Sequence, residues 1–334
     1  MDRKSLCCFI PTKATCLHRI NNVKGLSSCT DLLPYTALRG FVWLMGISII
    51  MANILSMAYK SYEMNHTKKS NSIECLEILG LNFADLLSGV YLFIIGSGDM
   101  YYRNKYVHYA KLWRAGTSCR VAGGIVWFGV QMSSFILLLI SVSRMYCVWK
   151  PFDIAILNIP KLVLLVTLFS LYTDIQSILQ QTLLIAENSN VCIPLQVSVL
   201  DDSIVTKLHN YIMFASVVLN VVCMLGVLVL NMLIIFFSSK SRKSAGRERS
   251  RDDMIMIVRL FVISSTNFLT WIVALPLSVM SVAGYYIDPS ITAWLSIVGI
   301  PMNSLINPVT YTFTTRAFRS WLREKLTPRK GLEG

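Results

Sequence analysis

Polar side chains within long apolar stretches are the first candidates for chemistry in this sequence. Asn53 and Asp85 lie in two such stretches, and a later stretch holds Asn303, Asn307 and Tyr311. A charged or amide group is costly in hydrocarbon, so each of these residues is a candidate functional residue by default. Residues 303, 307 and 311 are four apart and share one helix face. This pattern predicts a polar pocket inside a helical bundle, with interhelical hydrogen bonding alone as the alternative.

The composition indicates a membrane protein. Residues of the AVILMFWYC set make up 54% of the chain and charged residues only 15%, where about 25% charged is usual for a globular domain. The mean hydropathy is +0.56. The net charge of +13 would suit nucleic acid, but the basic residues lie in short segments between apolar runs. This distribution favours a lipid bilayer as the partner, and we expect no nucleic acid to bind.

Seven apolar windows are close to or longer than the roughly 20 residues that cross a bilayer as a helix. Each must close its own backbone hydrogen bonds in hydrocarbon, so each is predicted to be helical. We expect an all-α membrane protein with a seven-transmembrane helix bundle. The windows are Leu38–Tyr59, Ile73–Gly96, Val121–Val148, Ile159–Ala186, Ile204–Ser238, Met254–Gly284 and Ile291–Thr314.

The distribution of basic residues predicts the orientation of the chain. One alternating set of segments, which includes the stretch after the last window, holds 19 Lys and Arg residues. The opposite set holds six, with Arg39 and five more in the N-terminal tail, and the richer set is expected to face the cytoplasm. We therefore expect residues 1–37 to form an extracellular tail, 38–314 the seven-transmembrane domain, and 315–334 a cytoplasmic segment. Phe318, Trp321 and Leu322 recur at helical spacing among basic residues, which predicts a short amphipathic C-terminal helix on the inner leaflet.

Two cysteines and one arginine mark the ends of the third window. Cys119 stands at its outer end and Cys192 in the following outer loop, where the oxidising environment favours a disulfide between them. Arg144 stands at the inner end, about 37 Å away along a helix. For Arg144 taken alone, an ordinary interfacial arginine is the alternative to a functional one.

The chain is predicted not to be an enzyme, because it lacks a phosphate-binding Gly loop with Lys, an HExxH motif and a GxSxG motif. The seventh window has no Lys that could hold retinal as a Schiff base. The third window from Val121 to Ser143 has no Asp or Glu to pair with a protonated amine. A peptide or protein ligand that acts through the outer loops fits these residues better.

Taken together, these residues resemble the rhodopsin-like G-protein-coupled receptors from Leu32 to Lys325. A finer resemblance is to their leucine-rich-repeat subfamily, and within it to the relaxin-family peptide receptors. The marks of the superfamily are Asn53, Asp85, Cys119, Arg144, Trp271 and Asn307–Tyr311. Those of the subfamily are Ala84–Gly96, Lys111–Trp113, Val191–Leu195 and Asn307–Phe318, with Ser28–Leu33 similar to the end of a hinge.

The resemblance implies specific roles for these positions. Asp85, Ser133, Trp271, Asn303 and Asn307 would form a sodium-binding pocket, to which Asn53 belongs as a neighbouring amide. No other cofactor or metal is expected. Arg144 would be the switch arginine at the G-protein interface, Tyr311 the tyrosine that swings toward it, and Pro308 the residue that bends this helix. The sixth span would move outward on activation and open a crevice for a heterotrimeric G protein.

The chain departs from the family pattern at four positions. Ser143 stands where an acidic residue usually precedes the switch arginine, and Met145 where a tyrosine usually follows it. Val273 replaces a proline and Asn231 a tyrosine. Losing the acid at position 143 predicts raised basal activity, which Ser143→Glu would lower.

We expect a plasma-membrane receptor for a peptide or protein hormone that signals through a heterotrimeric G protein. Because about 37 residues precede the first window, the resemblance implies either a truncated product or a receptor without its repeat ectodomain. The alternative function is a non-signalling membrane partner that dimerises with full-length receptors.

Overall fold

The fold is described from a computed structural model for residues 31–33, 35–66, 69–149, 159–184, 189–193, 204–244, 251–283, 285 and 289–326. Every regular element in these ranges is a helix, and none of them contains a strand. Most of the predicted extracellular tail lies outside the described residues. So does the side chain of Asp174, a further acidic residue in the fourth window.

Ten α-helices and two π-helical segments make up the described chain. The π-helical segments, Leu295–Gly299 and Val309–Phe313, lie before and after the helix Ile300–Pro308. The α-helices are α1 Thr36–His66, α2 Lys69–Tyr102, α3 Tyr106–Ala115, α4 Thr117–Trp149, α5 Ile159–Leu184, α6 Ile204–Ser244, α7 Arg251–Val282, α8 Pro289–Trp294, α9 Ile300–Pro308 and α10 Arg316–Leu326.

Five of these helices are long and apolar enough to cross a membrane in the part of the chain that is described. They are α1, α2, α4, α6 and α7. Helix α5 contributes a shorter apolar stretch, Ile159–Tyr172, and the seventh window is divided by the two π-helical segments. The structure therefore supports a helical membrane protein, whereas the count of seven spans stays a prediction.

Helix α4 is the central helix of the bundle. Two thirds of its most apolar window is buried (67%), against one third (33%) in α1, and it packs against α2, α5 and α6. Gly129 allows the close approach to α2, because a Cβ atom there would lie 2.8 Å from the carbonyl oxygen of Ala84. By contrast, α5 exposes Leu164, Leu165 and Phe169, as expected for a lipid-facing surface.

The buried apolar residues form two clusters. One includes Leu32, Ile95, Trp113 and Cys192 and joins α1–α4 to residues 191–192. The other includes Ile136, Val227, Ile263 and Tyr311 and joins α2, α4, α6 and α7 to the second π-helical segment. We call the end of the bundle that carries Cys119 the outer end and the end that carries Arg144 the inner end.

The seventh window changes its helical geometry twice. Helix α9 ends at Pro308, and the backbone is π-helical on both sides of it. Proline removes one backbone donor and crowds the preceding turn, and single π-helical turns are frequent at functional sites. Asn303, Asn307 and Tyr311 are consequently not presented by one regular helix.

Candidate functional site

A polar network at the centre of the bundle is built around Asp85. This carboxylate is 1% exposed. Ser133 of α4 donates to its Oδ1 atom at 3.2 Å, and the Asn307 amide nitrogen donates to Oδ2 at 2.8 Å. Among the described residues no Lys or Arg forms an ion pair with Asp85. A buried anion without a basic partner is electrostatically suited to a small cation.

Asn53 extends this network to α1. Its side-chain nitrogen donates to the carbonyl oxygens of Ile49 at 2.9 Å and Ser304 at 3.0 Å. The Ser304 hydroxyl lies 3.1 Å from that of Ser88 on α2. Asn53 therefore joins α1 to α9 beside the network around Asp85. Its hydrogen bonds in the described chain do not include one to the Asp85 carboxylate.

Asn303 and Trp271 line a cavity beside the network. The cavity has a volume of about 20 Å³, enough for one water-sized occupant. Asn303 donates to Thr270 Oγ1 at 3.1 Å, and its Oδ1 atom is buried without a hydrogen-bond partner among the described residues. Asp85 is not among the lining residues, but Ser133 is shared between the cavity and the carboxylate.

At the inner end, the structure brings Arg144 and Tyr311 together. The Arg144 guanidinium lies 5.1 Å from the centroid of the Tyr311 ring, within the range of a cation–π contact. Tyr311 is held there by the π-helical turn that follows the buried Pro308. Arg144 also lies 3.4 Å from the Glu74 carboxylate of α2. The inner group thus joins α2, α4 and the seventh window.

At the outer end, the predicted disulfide joins Cys119 to Cys192. It fixes residues 189–193, which we call the lid segment, over the bundle. All five residues of the lid segment are buried. Trp113 donates to the carbonyl oxygen of Asn190 at 2.9 Å, and Tyr91 donates to that of Val191 at 2.7 Å.

Residues 31–33 are also bound to the outer end. The backbone N–H of Leu33 donates to Asp99 Oδ1 at 2.9 Å, and Leu32 and Leu33 are fully buried. Arg39 bridges Asp31 at 2.5 Å and Asp99 at 3.3 Å. These contacts hold the end of the N-terminal segment against α1 and α2.

The sequence-based prediction did not include several residues of these networks. Ser304 carries a weak signal, because a serine hydroxyl in an apolar helix often bonds to its own backbone. Tyr91 carries a weak signal because most of its side chain is apolar. Glu77 was detectable: it is an acidic residue within the second window, and it is 2% exposed. Asp85 was selected because an acidic side chain within an apolar window is a candidate functional residue, and the same reasoning selects Glu77.

The sequence is similar to those of several receptors. The chain is 26% identical over 331 residues to the G-protein coupled receptor GRL101 of Lymnaea stagnalis, covering 97% of this chain and 28% of the relative. It is 27% identical over 306 residues to human relaxin receptor 1, covering 90% of this chain and 40% of the relative. Relaxin receptor 2 of the dog is 28% identical over 332 residues, covering 96% and 43%.

The resemblance to relaxin-type receptors is confirmed. These receptor relatives are not enzymes, in agreement with the prediction from the motifs. No family model matches the chain. The chain spans between 28% and 43% of the length of these curated relatives.

Proposed function

We propose that this chain forms the seven-transmembrane domain of a G-protein-coupled receptor for a peptide or protein hormone. Its N-terminus would lie outside and its C-terminus in the cytoplasm, with residues 1–37, 38–314 and 315–334 as tail, bundle and cytoplasmic segment. The receptor relatives support the class. The distribution of Lys and Arg supports the orientation in the plasma membrane.

One observation carries the proposal. Two neighbouring polar residues of the seventh window contact two different helices: Asn307 bonds to Asp85 of α2, while Tyr311 packs on Arg144 of α4. A rearrangement at the junction of α9 and the π-helical segment Val309–Phe313 would change both contacts at once. A switch in a receptor must link a buried centre to the inner surface, and these two contacts provide such a link.

Movement of α7, the sixth predicted span, would open the inner end to a heterotrimeric G protein. At present Asn231 of α6 donates to the Ser264 hydroxyl of α7 at 2.7 Å, and both side chains are buried. This bond holds α6 and α7 together at the position where the family usually carries a tyrosine. An outward movement of α7 alone has to break it.

A sodium ion is the cation that we propose for the central cavity. Ser133, Thr270 and Asn303 supply oxygen atoms around it, the donor type that hard cations prefer, and the Oδ1 atom of Asn303 is free to coordinate. Asp85 would contribute its negative charge from behind Ser133, which lines the cavity and bonds to the carboxylate. Bound sodium would stabilise this arrangement of the bundle, since any species that binds only the folded state does so.

The lipid contact of the C-terminal helix is also a proposal. Helix α10 buries Phe318 and exposes Arg316, Arg319 and Arg323. Phe318 and Trp321 pack on Tyr59 of α1, with ring centroids 5.1 and 5.3 Å away. An amphipathic helix anchored in this way would lie along the anionic inner leaflet.

The proposal is tested by agonist-independent second-messenger output in transfected cells. Surface expression of the unmodified chain should raise output above empty vector, and Arg144→Ala should abolish the rise because Tyr311 and the G protein lose their cation. Asp85→Asn should change output in the same assay through the Asn307 contact. Lys161→Ala, which removes an exposed basic residue at the inner end of α5, is the matched control and should leave output unchanged.

Output equal to empty vector for all four proteins, despite surface expression, would contradict a signalling role. Co-precipitation with a full-length relaxin receptor under those conditions would favour the non-signalling dimer partner instead.

A further inference from the structure

The acidic groups that face the switch arginine come from another helix. Position 143 carries serine, so α4 itself supplies no acid next to Arg144. The Ser143 hydroxyl donates to Glu77 Oε1 of α2 at 2.6 Å. Arg144 lies 3.4 Å from Glu74 Oε1 of the same helix. Two consecutive residues of α4 are thus held by two carboxylates of α2.

The spacing on α2 explains how one helix reaches both positions. Glu74 and Glu77 are three residues apart, and such pairs lie on the same face of a helix. The adjacent basic residue of α1, Lys60, is engaged by Glu63 at 2.7 Å. Among the ion pairs of the described residues, the partner of Glu74 is therefore Arg144 of α4.

The two carboxylates differ in burial, and therefore in how strongly each is bound to its partner on α4. Glu77 is 2% exposed, and its 2.6 Å contact has the length of a strong hydrogen bond between a hydroxyl and a carboxylate. The Glu74 side chain is 58% exposed, so its pairing with Arg144 is screened and easily broken. The Glu77–Ser143 contact is therefore suited to a fixed attachment, and the Glu74–Arg144 contact is suited to one that can be released.

We propose that Glu74 and Glu77 form an acidic clamp from α2 that replaces the missing acid at position 143 and holds Arg144 in the resting state. Glu77 is a positioning residue, since it acts on Arg144 through Ser143, whereas Glu74 binds the guanidinium directly. This inference rests on the proposed receptor function for its signalling consequence. The geometry of the clamp itself does not depend on that function.

The clamp changes the expectation for restoring the family acid. A glutamate at position 143 would bring its carboxylate next to that of Glu77, and like charges at this distance repel. Ser143→Glu alone should therefore raise basal output rather than lower it. The exchange variant Ser143→Glu with Glu77→Ser keeps one acid and one hydroxyl in the pair and should return output to the unmodified level.

The test combines basal output with a distance measurement that needs no G protein. Spin labels are placed on Cys147, an exposed thiol at the inner end of α4, and on Val258→Cys, exposed on α7, with the tail cysteines replaced by serine. Double electron–electron resonance spectroscopy on the protein in lipid nanodiscs then measures the distance between the labels on α4 and α7. Thermal unfolding of each variant checks that it is folded.

Glu74→Gln should raise basal output about two- to fivefold, the change expected when an exposed ion pair is lost. Glu77→Gln should raise it at least as much, because the buried side chain loses a charged hydrogen bond to Ser143. Both should enlarge the long-distance population between α4 and α7. Glu324→Gln removes an exposed acid of α10 on the same side of the membrane and should change neither reading. Recovery in the exchange variant would separate charge pairing from simple loss of packing.

Unchanged distances in both glutamine variants, with folded protein, would overturn the clamp. So would failure of the exchange variant to recover while the single variants are shifted. Shifted distances without any second-messenger output would support the clamp and contradict the proposed signalling role, so the two failures are distinguishable.

Discussion

The outer and inner ends of this bundle hold their helices in different ways. At the outer end, a disulfide, a wholly buried lid segment and the buried Asp99 carboxylate join the loops to the helices. At the inner end, Arg144 is 27% exposed and makes a 3.4 Å ion pair and a 5.1 Å ring contact. Covalent and buried contacts are hard to exchange, whereas exposed ion pairs contribute little stability. From this difference we propose that the outer end is fixed and that Arg144 at the inner end is movable.

The largest effect is expected from breaking the outer disulfide. Cys119 and Cys192 are 73 residues apart, and a crosslink over such a loop stabilises the folded state by roughly 4 kcal/mol through the entropy of the unfolded chain. Cys119→Ala should therefore lower thermal stability strongly and reduce surface expression. Cys147→Ala, which replaces an exposed free cysteine, is the control. Equal melting temperatures for the two variants would show that the outer end does not depend on the crosslink.

An intermediate effect on thermal stability is expected from sodium binding near Asp85, which lies between the outer and inner ends. NaCl should raise the melting temperature of the unmodified protein more than KCl at equal ionic strength, because only the smaller cation is proposed to bind in the cavity. Asp85→Asn should remove the difference between the two salts. An identical salt response before and after the substitution would argue against sodium at this site.

A small effect at the outer end tests whether the lid segment is held by hydrogen bonds. Trp113→Phe removes the donor to Asn190 but keeps most of the ring, and should cost about 1 kcal/mol of unfolding free energy. Trp127 is the matched control, since its indole nitrogen is buried with no hydrogen-bond partner in the described chain. Trp127→Phe should cost less than Trp113→Phe. The reverse order would mean that packing, and not the hydrogen bond, holds the lid segment.

The features that could be predicted from the sequence are those decided by whether a side chain is favoured in water or in hydrocarbon. Asp85 and Asn307 stood out because carboxylate and amide groups are costly in hydrocarbon, and the structure brings them within 2.8 Å. Cys119 and Cys192 were paired from their common outer location, and they form the disulfide. Periodicity also predicted the amphipathic pattern of Phe318 and Trp321 in α10.

Other parts could not be predicted because they depend on contacts between distant elements. The short helix α3, Tyr106–Ala115, lies in a connection without long apolar periodicity. The π-helical segments around α9 have no signal in the residue spacing, which suggested one continuous face. The pairing of Ser143 with Glu77 requires the relative rotation of α2 and α4, which a one-dimensional pattern does not contain.

The most direct test of the account is nucleotide exchange on purified heterotrimeric G proteins by the protein in lipid nanodiscs. If the inner end is a movable switch, the unmodified chain should accelerate exchange of at least one G protein, and Arg144→Ala should return the rate to the spontaneous value with the disulfide intact. Equal exchange rates with the unmodified chain, with Arg144→Ala and with empty nanodiscs, across all G-protein classes, would contradict the account.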